Sequence, residues 1–290
     1  MSRAAWFWVF VGPFLAGLLL FSYVPIGWSV LLSFFEARNT VTPTDFVGFR
    51  NYREMLTDRS FVDSLLTFSL FALAVVPLTY VSALGLALLV NRIEFARSFF
   101  RSVFFLPTAC SYVVAALVWK LSIFSGVDSG LANTVLGTDI AWLVQVKPPW
   151  YWLALITVRL WLQTGFYMIL FIAGLQRISQ SLYEAAEVDG ASGWQSFRYV
   201  TLPQLRSTSI AVLLLSLIAA YQAFDEFYNL FSTTGGYPPY ARPPLVYLYY
   251  NSLGAGAQDF GHGGAGAVIL AAVIAMVTLL QGKLIGRERA

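Results

Sequence analysis

Apolar residues in this chain come in long blocks, and polar residues are largely confined to the stretches between them. Six blocks stand out, at roughly 6–35, 66–90, 103–124, 152–175, 208–231 and 265–282. Each approaches or exceeds the ~20 residues that an α-helix needs to cross a ~30 Å hydrocarbon layer. The pattern predicts an all-α, polytopic membrane protein with six transmembrane helices. The first block contains Pro13 and Pro25, which a membrane helix tolerates when neighbouring groups re-satisfy its backbone. Arg3 is followed by an apolar run much longer than the ~7–15-residue core of a signal peptide, so this block reads as a span. Residues 1–65 read as a first helix with its loop, and 66–290 as a transmembrane domain of five further helices.

Composition sharpens this picture. Of 290 residues 58% are hydrophobic and only 11% charged, against roughly 25% charged in soluble chains. The net charge of +3 is spread over the loops, so it bears on membrane orientation and not on nucleic acid. With both termini in the cytoplasm, the inner segments carry Arg3, Arg92, Arg97, Arg101, Arg177, Arg198, Arg206, Lys283, Arg287 and Arg289. The outer segments carry Arg38, Arg50, Arg53, Arg59, Lys147 and Arg242, and the first outer loop also holds five acids. That bias favours both termini inside. The sole cysteine, Cys110, and the sole histidine, His262, exclude an intrachain disulfide and a Cys/His zinc cluster. No stretch matches G-x-x-x-x-G-K-[S/T], the phosphate-binding loop for ATP. No nucleophile–base pairing is evident either, so neither catalytic nor metal-ligating residues are assigned and an enzyme is not expected.

The stretch Glu184–Pro203 is polar and charged, and it lies between two apolar blocks. Ser181 and Glu184 form an S-x-x-E pattern that predicts a helix start near Leu182. Gly190 suits a turn through positive φ, and a second short helix is expected from Gly193 to Val200, ending ahead of Leu202-Pro203. The order is Glu-Ala-Ala, three residues, Gly190, nine residues, Val200, one residue, Leu-Pro. This spacing resembles the EAA loop of permease subunits in binding-protein-dependent ABC importers, where isoleucine is usual at the position of Val200. Arg101–Trp119, Trp161–Leu175, and Thr233-Thr234-Gly235-Gly236 followed by Asp259-Phe260-Gly261 resemble carbohydrate-type members, specifically the first of two paired permeases in maltose-type systems.

The resemblance implies a type I importer fold that pairs with a second permease in the bacterial cytoplasmic membrane. It also implies two ATPase subunits that bind ATP and Mg, an extracytoplasmic solute-binding protein, surrounding membrane lipid, and no cofactor on this chain. Within the loop 177–207, Glu184, Ala185, Ala186, Asp189, Gly190, Ala191, Leu202 and Pro203 are implied to dock on the ATPase. Closure of the ATPases would then drive alternating access.

Ionisable groups at membrane depth are costly unless they face a cavity or a partner. In the fifth block Gln222, Asp225, Glu226 and Asn229 recur at i, i+3, i+4 and i+7, with Tyr221 and Tyr228 beside them. In the fourth, Arg159, Gln163 and Phe166 share a face with Leu162. The resemblance implies that Arg159, Leu162, Gln163, Phe166, Tyr221, Gln222, Asp225 and Asn229 meet a di- or oligosaccharide, although a neutral residue would be usual in place of Arg159. Two other readings stay open for that arginine. It could pair structurally with Asp225 or Glu226, or answer a phosphate, making the substrate glycerol 3-phosphate or a glycerophosphodiester. More remote is an intramembrane enzyme or an assembly scaffold. Arg159 lies ~10 Å below Trp152 and Asp225 ~9 Å below Phe231 at 1.5 Å per residue, so the two should share a depth. Finally, the small residues from Gly261 to Ala267, interrupted only by His262, predict close helix packing, and Tyr237-Pro238-Pro239 with Arg242-Pro243-Pro244 predict a stiff fifth loop.

Overall fold

In the computed structural model the described residues are 3–93, 95–126, 130–147, 149–232, 242–254 and 258–286. They are helical almost throughout, and two isolated bridges, Phe35–Phe46 and Arg38–Asp259, are the extended pairings among them. In chain order the helices are α1 (Arg3–Leu18), α2 (Val24–Leu32), α3 (Arg50–Thr57), α4 (Arg59–Arg92), α5 (Arg97–Phe105), α6 (Tyr112–Val118) and α7 (Leu131–Leu136). There follow α8 (Tyr151–Leu175), α9 (Gln180–Val188), α10 (Gly193–Ser196), α11 (Leu202–Gln204), α12 (Arg206–Tyr221), α13 (Asp225–Phe231), α14 (Pro244–Leu253) and α15 (Phe260–Gly286). Thr233–Gly236 and Tyr237–Pro239, both singled out above, lie outside the described residues.

Among the described residues four stretches are long and apolar enough to cross a membrane: Trp6–Leu32, Arg59–Arg92, Tyr151–Leu175 and Phe260–Lys283. Two more arise if each of two bent pairs is one span, Arg97–Ala109 with Tyr112–Ile123 at 94° and Gly193–Gln204 with Arg206–Tyr221 at 68°. The protein is therefore helical, with four to six candidate spans. The third apolar block, expected as one helix, is divided by a 3-10 turn at Leu106–Ala109 that contains Pro107, after which Cys110 is extended. Proline gives no N–H and its ring collides with the carbonyl four residues back, so helix resumes only once Ser111 caps α6 through Val113 N–H at 3.3 Å.

Two other prolines are absorbed differently. Pro25 and Pro203 each follow a π-helical turn, Leu19–Tyr23 and Phe197–Thr201 respectively. The wider turn rearranges the bonds that a missing N–H would interrupt. The helix expected to stop ahead of Leu202-Pro203 instead runs through them to Gln204.

The chain divides into two compact units, one of residues 1–65 with 244–273 and one of residues 66–243 with 274–290. In the first, buried Asn51 donates to the carbonyls of Ser33 and Phe35 at 3.0 and 2.9 Å. The small-residue run behaves as its composition predicts. A β-carbon at Gly261 would come within 2.5 Å of the Phe35 carbonyl, and one at Gly264 within 2.6 Å of the Ser29 carbonyl. Asp259 caps α15 by accepting from His262 N–H at 2.9 Å, and His262 bridges Asp259 (2.8 Å) and Glu54 (2.6 Å) through its ring nitrogens. Burial alone would raise the Asp259 pKa, but the His262 hydrogen bonds and the charges of His262 and Arg38 outweigh it and hold the carboxyl below its usual range.

In the second unit, Ala83, Ala87 and Val90 of α4 pack against Met168, Phe171 and Ile172 of α8 and Val212 of α12. A ring cluster of Phe68, Phe71, Tyr221 and Phe227 extends this core. Gly165 of α8 lies so close to α5 that a β-carbon there would overlap the Phe104 carbonyl. Backbone cannot yield as a flexible side chain can, and overpacking typically costs ~1–3 kcal/mol or more. Gly165→Ala is therefore expected to lower the thermal unfolding midpoint of the purified chain, whereas Gly12→Ala, with nothing within 4 Å, should leave it unchanged. Equal midpoints for the two variants would show that α5 and α8 do not approach this closely.

Candidate functional site

The Glu184–Pro203 stretch folds as an exposed pair of short helices. Helix α9 begins at N-cap Ser179, whose hydroxyl bonds the Ser181 hydroxyl at 2.8 Å and caps no backbone N–H. Ser181 thus lies inside the first turn, and the box expected from Ser181 and Glu184 does not form. The same pattern eleven residues on does form it: Ser192 accepts from Gln195 N–H at 3.4 Å, and Gln195 Oε1 accepts from Ser192 N–H at 2.7 Å.

Between the helices Gly190 takes φ +73°, as expected of a glycine turn. Gly190 N–H donates to the Glu187 carbonyl (3.0 Å) and Ala191 N–H to the Ala186 carbonyl (2.9 Å), a paired closure that requires the left-handed residue. Tyr183 and Thr201 hydroxyls, 3.1 Å apart, tie the two helices together. Glu184, Ala185, Asp189, Gly190 and Pro203 are exposed, while Ala186, Ala191 and Leu202 are half-buried. Val188 is 88% exposed and Tyr199 75%. The result is a preformed platform of carboxylates and bare apolar side chains.

The second constellation surrounds a break in the fifth apolar block. Periodicity had placed Gln222, Asp225, Glu226 and Asn229 on one continuous helical face, but the helix stops at Tyr221 and restarts at Asp225. Gln222 therefore does not share a helical face with the other three. Ala223 N–H turns to the Ala220 carbonyl at 3.2 Å, so the Ala219 carbonyl loses its i+4 donor. Arg159 of α8 replaces that donor: its Nη2 bonds the Ala219 carbonyl and its Nη1 bonds Glu226 Oε1. Both partners of the ion pair are buried, at 3% and 1% side-chain exposure.

The Arg159 guanidinium carbon also lies 5.4 Å from the centre of the Tyr112 ring, a cation–π distance. The far end of α13 is held in the same manner, since Lys120 Nζ donates to the carbonyls of Asn229 (3.2 Å) and Ser232 (2.7 Å). Two cations thus supply the donors that two helix C-termini lack.

Of the residues predicted to meet substrate, Arg159, Leu162, Gln163 and Tyr221 are buried. Gln163 donates to the Tyr112 hydroxyl at 3.1 Å, next to Arg159. Tyr221 turns elsewhere, its hydroxyl 3.0 Å from Ser69. Gln222, Asp225 and Phe166 are exposed and Asn229 half-exposed, with its amide donating to the Asp225 carbonyl at 2.7 Å. The pairing alternatives left open above resolve to Glu226, with Asp225 at the surface. Tyr112 and Lys120 were not singled out from the sequence. Lys120 carried a signal, a cation inside an apolar block, whereas Tyr112 carried none.

Removing one member of a buried ion pair commonly costs ~3–5 kcal/mol, while replacing both by apolar groups is often nearly neutral. Arg159→Leu and Glu226→Leu are each expected to lower the unfolding midpoint sharply, and the double variant to regain most of the loss. Strictly additive losses in thermal melts of the purified chain would show that the pair is not coupled.

Residues 59–285 match the family described as the binding-protein-dependent transport system inner membrane component. The lactose transport system permease protein LacF of Rhizobium radiobacter is 32% identical over 280 residues, 94% of this chain and 92% of that one. The trehalose/maltose transport system permease protein MalF of Thermococcus litoralis is 31% identical over 281 residues, 96% and 92% of the two chains. The probable starch degradation products transport system permease protein AmyD of Thermoanaerobacterium thermosulfurigenes is 30% identical over 283 residues, 97% and 94%. A bacterial ABC transporter involved in the import of the acidic polysaccharide alginate has a chain of the same fold, with a TM-score of 0.83 at 22% identity, covering 99% of this chain and 97% of that one. With its long apolar helices, its exposed Glu184–Pro203 platform and this family match, the chain belongs to the inner membrane components of binding-protein-dependent transport systems, the permeases of ABC transporters.

Proposed function

We propose that this chain is one of two permease subunits of an ATP-driven importer that moves a di- or oligosaccharide across the bacterial cytoplasmic membrane. The observation that carries this reading is the preformed, exposed platform at Glu184–Pro203 on a chain of membrane helices. In the proposed arrangement there are six spans with both termini in the cytoplasm, and each bent pair is a single span. The platform meets an ATPase subunit through Glu184, Ala185, Ala186, Asp189, Gly190, Ala191, Leu202 and Pro203. Two such ATPases bind ATP and Mg, and an external solute-binding protein delivers the sugar. Their closure shifts the population between inward- and outward-facing states.

Relatives named for lactose, trehalose/maltose and starch degradation products support a saccharide. Gln163, Phe166, Gln222, Asp225 and Asn229 are the proposed contacts, with amides and a carboxylate for hydroxyls and a ring for an apolar sugar face. Leu162 and Tyr221 back them from the core, and Arg159 positions the break through Glu226. The glycerol phosphate reading rested on an unanswered arginine, and Glu226 answers it.

Two measurements test these roles. Proline fixes φ near −65° and has no N–H, whereas Gly190 needs φ +73° and donates to Glu187. In the reconstituted complex, Gly190→Pro is expected to abolish stimulation of ATP hydrolysis by substrate-loaded binding protein, a coupling of a kind typically worth ~1–3 kcal/mol. Undiminished stimulation would remove the platform from the coupling role. The substrate class is read from the same assay on the parent complex: neutral di- and oligosaccharides should stimulate hydrolysis and glycerophosphodiesters should not, and the reverse result would replace the sugar reading.

A further inference from the structure

Where α4 ends, a cleft of about 590 Å³ opens between that helix and the second half of the Glu184–Pro203 platform. Leu88 and Arg92 of α4 line one side, and Trp194, Ser196, Phe197 and Thr201 the other. Arg92 is the last residue of α4, and so of a candidate membrane span. It is the only charged side chain lining the cleft among the described residues. The nearby Arg97 is committed to backbone, its Nε bonding the Ile93 carbonyl at 2.9 Å and its Nη2 the Asn91 carbonyl at 2.8 Å. The Arg92 guanidinium has no hydrogen-bond or ion-pair partner among the described residues and is exposed.

The α4 side of the cleft passes from charged to apolar along the helix. Leu88 lies four residues, or ~6 Å, deeper along α4 than Arg92. Trp194 is 68% exposed and its ring centre is 5.4 Å from that of Phe197. A cation at the end of a span, an indole lining the same cleft and aliphatic surface one turn below the cation match the chemistry of a lipid at the interface. Phosphate meets arginine, the glycerol region meets tryptophan and the acyl chain meets leucine and phenylalanine.

We infer that this cleft binds an anionic glycerophospholipid, its headgroup phosphate on Arg92 and its acyl chain along Leu88, Trp194 and Phe197. A positive charge that no described residue answers selects an anionic lipid over a zwitterionic one. The mainly apolar lining selects a lipid over free phosphate. This binding requires only that α4 cross the membrane, so it stands or falls separately from the transport role.

The test uses the full chain in nanodiscs, where brominated acyl chains quench tryptophan on contact. The Trp194 signal is the difference between the parent and Trp194→Phe. Brominated phosphatidylglycerol is expected to quench it at about fivefold lower mole fraction than brominated phosphatidylcholine, the equivalent of ~1 kcal/mol for one basic residue at an anionic surface. Arg92→Gln should erase that preference and Arg92→Lys should keep most of it. Equal quenching by the two lipids, or an unchanged preference in Arg92→Gln, would overturn the inference. So would loss of the preference on adding inorganic phosphate, which would make the site one for a free anion.

Discussion

The buried pair of Arg159 and Glu226 governs the membrane core of this chain. A guanidinium is kept at 3% exposure most readily where its charge is matched and its donors are used; here one broken helix matches the charge and takes Nη1 and Nη2, while Nε has no hydrogen-bond partner among the described residues. Glu226 supplies the opposite charge from the first turn of α13, where a helix N-terminus also favours an acid. The Ala219 carbonyl supplies the second acceptor, and it is free to do so only because α12 ends there. The break therefore answers the charge and two donors of the arginine, and the arginine in turn satisfies the break.

Lys120 extends the same logic to the other end of α13. A seven-residue helix between two interruptions has few internal bonds, and its last carbonyls lack donors of their own. The ammonium group takes two of them. Helices from three different apolar blocks are thus joined by charge-assisted bonds to backbone, which fix geometry more tightly than side-chain packing against lipid could. Around this fixed frame, Gln222 and Asp225 are left facing outward.

Much of this was legible in the sequence, and what was not has a definite cause. The apolar blocks, the glycine turn at 190 and the small-residue run from 261 each depend on local pattern, and local pattern predicted them. The break after Tyr221 did not, because Ala-Tyr-Gln-Ala-Phe-Asp-Glu is acceptable helix by itself. What stops the helix is a competing donor that arrives from 60 residues away. The capping box failed for a related reason: S-x-x-E at 181 and S-x-x-Q at 192 are equivalent patterns, and where the preceding helix lets the chain enter decides which one is used. The proline at 203 misled because the rule for proline assumes α-helical spacing, and a π turn changes that spacing.

The unit formed by residues 1–65 and 244–273 joins opposite ends of the chain. Asn39 and Gln258 exchange backbone and side-chain bonds across 219 positions, and His262 reaches Glu54 across 208. A ribosome adding ~5–20 residues per second takes on the order of 10–40 s to cover that interval. During that time the first helix and its loop are in place without the partners that complete them. For a newly made chain, then, Asn39 and Glu54 must wait for residues 258 and 262, and a polypeptide released early would carry this unit unfinished however well its middle had folded.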